Sequence, residues 1–86
     1  MIYVDEIKVA PNTSTVAKKY GARWSHMWTD GDINELHEFA KKIGLKISYF
    51  QDKPNFQHYD ITPTKRDIAI KKGAQYMPLK SWLKLH

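Results

Sequence analysis

The side chains of this sequence best suited to chemistry include His58 and Asp60, which stand on either side of Tyr59. In an extended segment alternate residues share a face, so the imidazole and the carboxylate would point one way and Tyr59 the other. The carboxylate could then orient the imidazole, or both groups could reach one ligand. We therefore predict a site at His58 and Asp60.

A second candidate is the pair Ser25-His26, which lies between Trp24 and Trp28. Adjacent residues of a strand point to opposite faces, so Ser25 and His26 cannot act as a nucleophile and its base. Trp24, His26 and Trp28 would share a face on which a planar base could stack. Packing of the two tryptophans in the core is the alternative.

Asp5 and His37 complete the set of candidates. Asp5 follows the β-branched and aromatic run Ile2-Tyr3-Val4, where a carboxylate at a strand end can hold a metal, a hydroxyl or a cation; capping its own turn is the alternative. His37 lies within the apolar stripe of a predicted helix, which favours a core hydrogen bond over a site role.

An anion site is predicted directly after Asp60. Thr62-Pro63 is typical of a helix N-cap followed by proline at the first helical position. The free backbone N–H groups of that turn, with Thr62, Thr64, Lys65 and Arg66, suit a phosphate. The sequence has no glycine-rich phosphate loop, so the signal is general.

These candidates require short elements to position them. We predict strands at Ile2–Val4, Trp24–Trp28, Leu45–Phe50, His58–Ile61 and Ala74–Met77, with a helix as the alternative at Trp24–Trp28, a loop at residues 11–22 and a polar loop at residues 51–55. Helices are predicted from a cap at Asp30 or Asp32 to Gly44, from Pro63 to Lys72 before Gly73, and after Pro78, where Leu79, Trp82 and Leu83 have helical spacing.

This alternation predicts one small α/β domain over residues 1–86, with a mostly parallel, short-stranded sheet and about three helices. Ligands collect at the carboxyl ends of parallel strands, so we expect the candidate residues to meet in one hollow there. Leu79, Trp82 and Leu83 could face this sheet or a partner, and a homodimer is an open alternative.

Composition excludes several classes of protein. The 86 residues fit one domain, and the absence of cysteine excludes disulfides, thiolate metal sites and a cysteine nucleophile. No membrane span and no signal peptide is evident, so we expect a cytoplasmic protein. Residues 39–86 hold ten basic and three acidic side chains, which makes nucleic-acid binding through this half a lesser alternative.

The chain resembles the small bacterial and phage family catalogued as domain of unknown function 4031. The resemblance runs from Tyr3 to Ala74, and its most specific part is the ordered set Trp-Ser-His, Leu-His and His-Tyr-Asp. This sequence departs from the family pattern at two places: Met27-Trp28, after the Ser-His pair, and a lysine-rich loop before that pair. The resemblance implies no activity; its phage members imply an accessory role in infection, and it supports Asp5, Ser25, His26, His37, His58, Tyr59, Asp60 and Arg66 as positions to test together.

The leading functional hypothesis is a pocket that binds a phosphorylated, nucleotide-like small molecule as a sensor or scavenger. The predicted ligand-binding residues are Asp5, Trp24, Ser25, His26, His37, His58, Tyr59, Thr62, Thr64, Lys65 and Arg66. The alternative is a hydrolase or phosphoesterase in which His26, His58 and Asp60 are catalytic. A divalent metal held by Asp5 and the histidines is an open possibility in that case, although no metal motif such as His-Glu-x-x-His is present.

Overall fold

The computed structural model describes residues 1–9 and 23–85, so the predicted loop at residues 11–22 lies outside the described residues. The strands are β1 (Ile2–Val4), β2 (Lys8–Val9), β3 (Arg23–Thr29), β4 (Phe50–Lys53), β5 (Phe56–Ile61) and β6 (Gln75–Tyr76). The helices are α1 (Ile33–Lys42), α2 (Pro63–Lys71) and α3 (Leu79–Leu85), with a 3-10 helix at Ile47–Tyr49.

The sheet is mixed and mostly antiparallel, so the prediction of a mostly parallel sheet is wrong. Its order is β4-β5-β3-β1-β6, with β2 paired to β3, and among these described pairs only β1 and β6 are parallel. Two local errors contribute to the difference. Of residues 45–50, predicted as a strand, Ile47–Tyr49 form the 3-10 helix and Phe50 begins β4, and residues 51–53 of the predicted polar loop are the rest of β4. A two-residue turn at Pro54 and Asn55 then joins β4 to β5 as a hairpin.

The carboxyl ends of three strands nevertheless meet at one edge of the sheet. Because β3 is antiparallel to both β1 and β5, those two strands run in the same direction, and β6 is parallel to β1. Asp5 follows β1 at this edge, and α2 begins there, one residue after β5 ends. The expectation that Asp5, Asp60 and the amino end of α2 lie at a common edge therefore holds despite the mixed sheet.

The helix ends follow the predicted signals. The Asp32 carboxylate accepts a hydrogen bond from the Asn34 N–H of α1, and the Thr62 hydroxyl accepts one from the Lys65 N–H of α2. Gly44 follows α1 with a φ of 85°, which an L side chain rarely adopts. The Lys65 ammonium lies 2.8 Å from where a Cβ at Gly44 would stand, a contact that the flexible lysine side chain can relieve, so the positive φ is the reason for glycine here.

The two faces of the sheet differ in what covers them. The core face carries Val4, Ser25, Met27, Tyr59 and Ile61, all almost fully buried. Leu36 and Ala40 of α1, with Ala69 of α2, are equally buried and belong with them to the apolar core, apart from the polar Ser25. The aromatic face, as we call the opposite side, carries Tyr3, Trp24, His26, Trp28, Phe56, His58 and Asp60. The alternation predicted for β3 and β5 is confirmed.

Helix α3 contacts the aromatic face through Trp82. The ring of Trp82 lies 5.5 Å from that of Tyr3 and 5.7 Å from that of Trp28, measured between centroids. Trp82 therefore packs against its own sheet, while Leu83 stays 57% exposed. No helix in the described residues has the length and apolar character needed to span a bilayer.

Candidate functional site

Asp5 lies beside His26 of the aromatic face. Its side chain is fully buried, its Oδ1 accepts a hydrogen bond from the His26 N–H at 2.7 Å, and its Oδ2 contacts both His26 Nδ1 at 2.7 Å and the Lys8 ammonium. Burial alone would raise the pKa of Asp5, but the hydrogen bonds from His26 and Lys8 outweigh it and hold the pKa below its usual value. Asp5 is therefore an ionised carboxylate at neutral pH.

This carboxylate fixes the tautomer of His26. An ionised carboxylate only accepts hydrogen bonds, so Nδ1 of His26 carries the proton and donates it. In the neutral ring, Nε2 is then an unprotonated acceptor. Edge-on contacts with Trp24 at 4.7 Å and with His58 at 4.8 Å between ring centroids hold the imidazole in place.

His58 has the same tautomer for a different reason. Its Nδ1 lies 2.9 Å from the Phe56 carbonyl oxygen, which can only accept, so Nδ1 again donates. The ring stacks on Phe56 with the centroids 4.7 Å apart and the planes 20° from parallel. Its Nε2 lies 3.3 Å from Oδ1 of Asp60.

Asp60 brings a buried carboxylate to the same place. It pairs with His26 in the β3–β5 ladder, and its side chain is only 9% exposed. Its Oδ1 finds no hydrogen-bond partner within the described part of the chain. One ligand atom from each of His26, His58 and Asp60 lies within 4.8 Å of the other two. We call these three residues the imidazole–carboxylate cluster.

Cations and an aromatic ring surround this cluster. The Lys8 ammonium lies 5.5 Å from the ring centroid of Trp24, and Trp24 is partly exposed. Arg66 of α2 donates from Nε to the Asp5 carbonyl oxygen at 2.8 Å, and its guanidinium lies 5.9 Å from the ring centroid of Tyr76. The rim thus combines positive charge with a partly accessible aromatic surface.

Three of the predicted site residues lie on the other side of the sheet. Tyr59 is buried on the core face, where burial raises its pKa and its hydroxyl lies 2.8 Å from Nδ1 of His37. The two residues line a cavity of about 320 Å³ with Lys41 and Leu45. Ser25 also points to the core face and is 1% exposed. The residues expected to share one hollow are therefore divided between two faces.

The amino end of α2 has its polar side chains already engaged. The Thr62 hydroxyl caps the helix, and the Lys65 ammonium donates to the Ile43 carbonyl oxygen at 2.7 Å, at the carboxyl end of α1. Thr64 is exposed. Of the residues predicted for the anion site, Arg66 is the one with a hydrogen bond to Asp5, which it makes to the backbone carbonyl oxygen.

Sequence reasoning missed Lys8 and Phe56. Lys8 stands three residues after Asp5, near enough for an ion pair, and Phe56 shares a face with His58 because it stands two residues before it. Trp28, predicted as a stacking surface, is 1% exposed and packs among aromatic rings instead. The predicted alternative of core packing is therefore correct for Trp28.

The arrangement can bind a cation or move a proton. One ligand atom from each of two imidazoles and one carboxylate lie within 4.8 Å of one another, and each imidazole is held by a hydrogen bond at Nδ1. Such outer hydrogen bonds orient metal-binding histidines and also position catalytic bases.

Comparison with known proteins gives one match. A model of the family described as "Protein of unknown function (DUF4031)" matches residues 2–85. No curated protein and no solved structure matches the chain. Because the match covers almost the whole sequence, the protein belongs to the DUF4031 family.

Proposed function

We propose that the protein hydrolyses a small phosphorylated molecule at the imidazole–carboxylate cluster. The observation that carries this proposal is the convergence of His26, His58 and Asp60, with both imidazoles held in the tautomer that leaves Nε2 unprotonated. Neutral imidazoles accept protons near neutral pH, as a general base must.

The bond changes follow from these groups. The oxygen of a water molecule bonds to phosphorus, the bond from phosphorus to the leaving oxygen breaks, and the water proton passes to an imidazole Nε2. His26 suits the role of base because Asp5 both fixes its orientation and stabilises the imidazolium that forms. The leaving oxygen takes its proton from solvent.

The rim supports a nucleotide-like substrate. Trp24 offers a partly exposed ring for stacking, and Lys8, although paired with Asp5, adds positive charge beside it. Among the described residues, Arg66 donates a hydrogen bond through Nε. Its Nη groups suit an oxyanion, because a guanidinium pairs well with phosphate oxygens. The same rim would serve a protein that binds this ligand without turnover.

The experiment measures phosphate release from nucleoside monophosphates, cyclic nucleotides and p-nitrophenyl phosphate, with and without divalent ions. The His26→Ala and His58→Ala variants should lose release, whereas His37→Ala, on the other face, should keep it. A ligand-dependent rise in melting temperature with no product would assign binding without turnover. If no product forms and no ligand raises the melting temperature, both functions are refuted.

A further inference from the structure

The imidazole–carboxylate cluster contains an electrostatic conflict. Nε2 of His58 and Oδ1 of Asp60 are both acceptors when the imidazole is neutral, yet they lie 3.3 Å apart with side chains only 10% and 9% exposed. No hydrogen bond from the described residues reaches this Oδ1. Buried acceptors without a partner are rare because burial removes the water that would satisfy them. A positive species between these atoms would resolve the conflict.

We propose that His26, His58 and Asp60 bind one divalent first-row transition-metal ion through two Nε2 atoms and Oδ1. The ion's part in turnover rests on the proposed hydrolysis: an Nε2 that holds the ion cannot also take the water proton, so in the metal-bound protein the ion would lower the pKa of the water and the proton would pass to solvent instead of to His26. Binding of the ion can be measured without turnover. Two imidazoles and a carboxylate form a donor set that suits zinc and its neighbours better than calcium or magnesium, which prefer oxygen ligands.

The distances fit such an ion. With metal–ligand distances near 2.1 Å, two ligands of a tetrahedral ion lie about 3.4 Å apart. The separation of 3.3 Å between His58 Nε2 and Asp60 Oδ1 already matches that edge. No ligand atom of the three lies more than 4.8 Å from the others, so the set needs to contract by at most about 1.4 Å.

The surrounding hydrogen bonds are those that metal-binding histidines require. Metal-bound imidazoles usually donate their other N–H to a carboxylate or a backbone carbonyl. His26 donates to the Asp5 carboxylate and His58 to the Phe56 carbonyl. Both imidazoles therefore present a lone pair to the cluster before any ion arrives.

Charge favours the same conclusion. Asp5 is paired with Lys8, which leaves the Asp60 carboxylate as the negative charge that faces the two imidazoles. Three protein ligands also leave a coordination position open for water, whose pKa falls to about 7 on a catalytic zinc ion. Because Lys8 is already paired with Asp5, the rim alone attracts a phosphate weakly. A divalent cation in the cluster would strengthen that attraction.

A proton on Nε2 of His58 would resolve the conflict in another way, by forming an ion pair with Asp60. The two explanations differ in what the site does when metal is offered. If Nε2 of His58 carries a proton, metal binding must release it. A bound metal would contact all three residues of the cluster, whereas the ion pair involves His58 and Asp60 alone.

The test is calorimetric titration of the untagged full chain with ZnCl₂ after treatment with a chelator. We expect one zinc ion per chain, and a loss of affinity of more than about 100-fold in both His58→Ala and Asp60→Asn. His37→Ala is the matched control, since it removes an imidazole of the core face, and it should bind zinc as the parent does. Circular dichroism checks that each variant is folded.

A second measurement does not depend on the variants. The ¹⁵N resonances of the imidazoles should move at Nε2 of His26 and His58 on zinc addition, while those of His37 stay in place. Absence of zinc binding by the folded parent, or equal binding by parent and both ligand variants, would overturn the metal site. Zinc binding without phosphate release would refute only the proposed hydrolysis. Phosphate release that persists without bound metal would refute only the role of the ion in that hydrolysis.

Discussion

The two faces of the sheet are built from the same strands, yet one face forms the apolar core and the other carries the polar cluster. On the core face, Met27 and Tyr59 alternate with the site residues and pack beneath α1 and α2. On the aromatic face, His26 and Asp60 form a cross-strand pair whose side chains are only 13% and 9% exposed. One-residue alternation thus places the stabilising apolar contacts directly behind the polar cluster, so the rigidity of one face positions the groups of the other.

The histidines of the two faces show what decides a role. His37 meets the Tyr59 hydroxyl, a neutral group that can donate or accept and so satisfies the imidazole in either tautomer. His26 and His58 each donate from Nδ1 to a group that only accepts, and both rings lie beside the Asp60 carboxylate. The group that each imidazole contacts, rather than how deeply the imidazole is buried, distinguishes a histidine that packs in the core from one that belongs to the candidate site.

Truncation on the core face should cost the most stability. Met27 is fully buried in the apolar cluster, so Met27→Ala should lower the free energy of unfolding by about 2–5 kcal/mol through lost contacts and a cavity. Urea unfolding measures the loss, and Leu83→Ala, at a side chain 57% exposed, is the control expected to stay within about 0.5 kcal/mol. Equal losses in the two variants would contradict the assignment of the core face.

Asp5→Asn should have the next largest effect, and it should act on both stability and the site. The amide cannot match the charged hydrogen bonds that His26 and Lys8 donate to the buried carboxylate, which predicts a loss of about 1.5–3 kcal/mol in urea. Zinc affinity should fall by about 10–100-fold, as when an outer hydrogen bond to a ligand is removed. Asp67→Asn, at an exposed residue, should change neither quantity.

Tyr59→Phe should separate the faces with a smaller effect. The change removes the hydroxyl that meets His37 and keeps the buried ring, so we expect a loss of about 0.5–1.5 kcal/mol. Zinc affinity should stay at the parent value although Tyr59 stands between His58 and Asp60 in sequence. A fall in affinity comparable to that of Asp5→Asn would show that the two faces are not independent.

Local signals in the sequence predicted the parts of the fold that depend on neighbours in the chain. Alternation placed His58 with Asp60 and Trp24 with His26, because successive residues of a strand point to opposite faces. The Thr62 cap and Gly44 marked helix ends through backbone requirements of their own.

Pairing between distant segments was beyond those signals. The stretch Leu45–Phe50 is apolar enough for a strand but contains a 3-10 helix, and polar Gln51–Lys53 forms an edge strand, where polar side chains protect against aggregation. That His26 lies opposite Asp60, and that His37 lies behind the sheet, follows from strand order. Strand order depends on long-range packing, which no local pattern of this chain records.

The last comparison is between two buried aspartates and carries the smallest expected change. Asp5 is fully hydrogen-bonded, whereas Oδ1 of Asp60 finds no donor within the described residues. Asp60→Asn replaces a buried charge with a neutral amide of similar shape. The free energy of unfolding of the metal-free variant should therefore lie within about 1 kcal/mol of that of the parent, and a small increase is expected rather than a decrease. Thermal unfolding with and without ZnCl₂ measures this: the parent should melt at a higher temperature with zinc, and the variant should not. A loss as large as that of Asp5→Asn without metal would mean that the Asp60 carboxylate is already stabilised in the metal-free protein, as an ion pair with a protonated His58 would do.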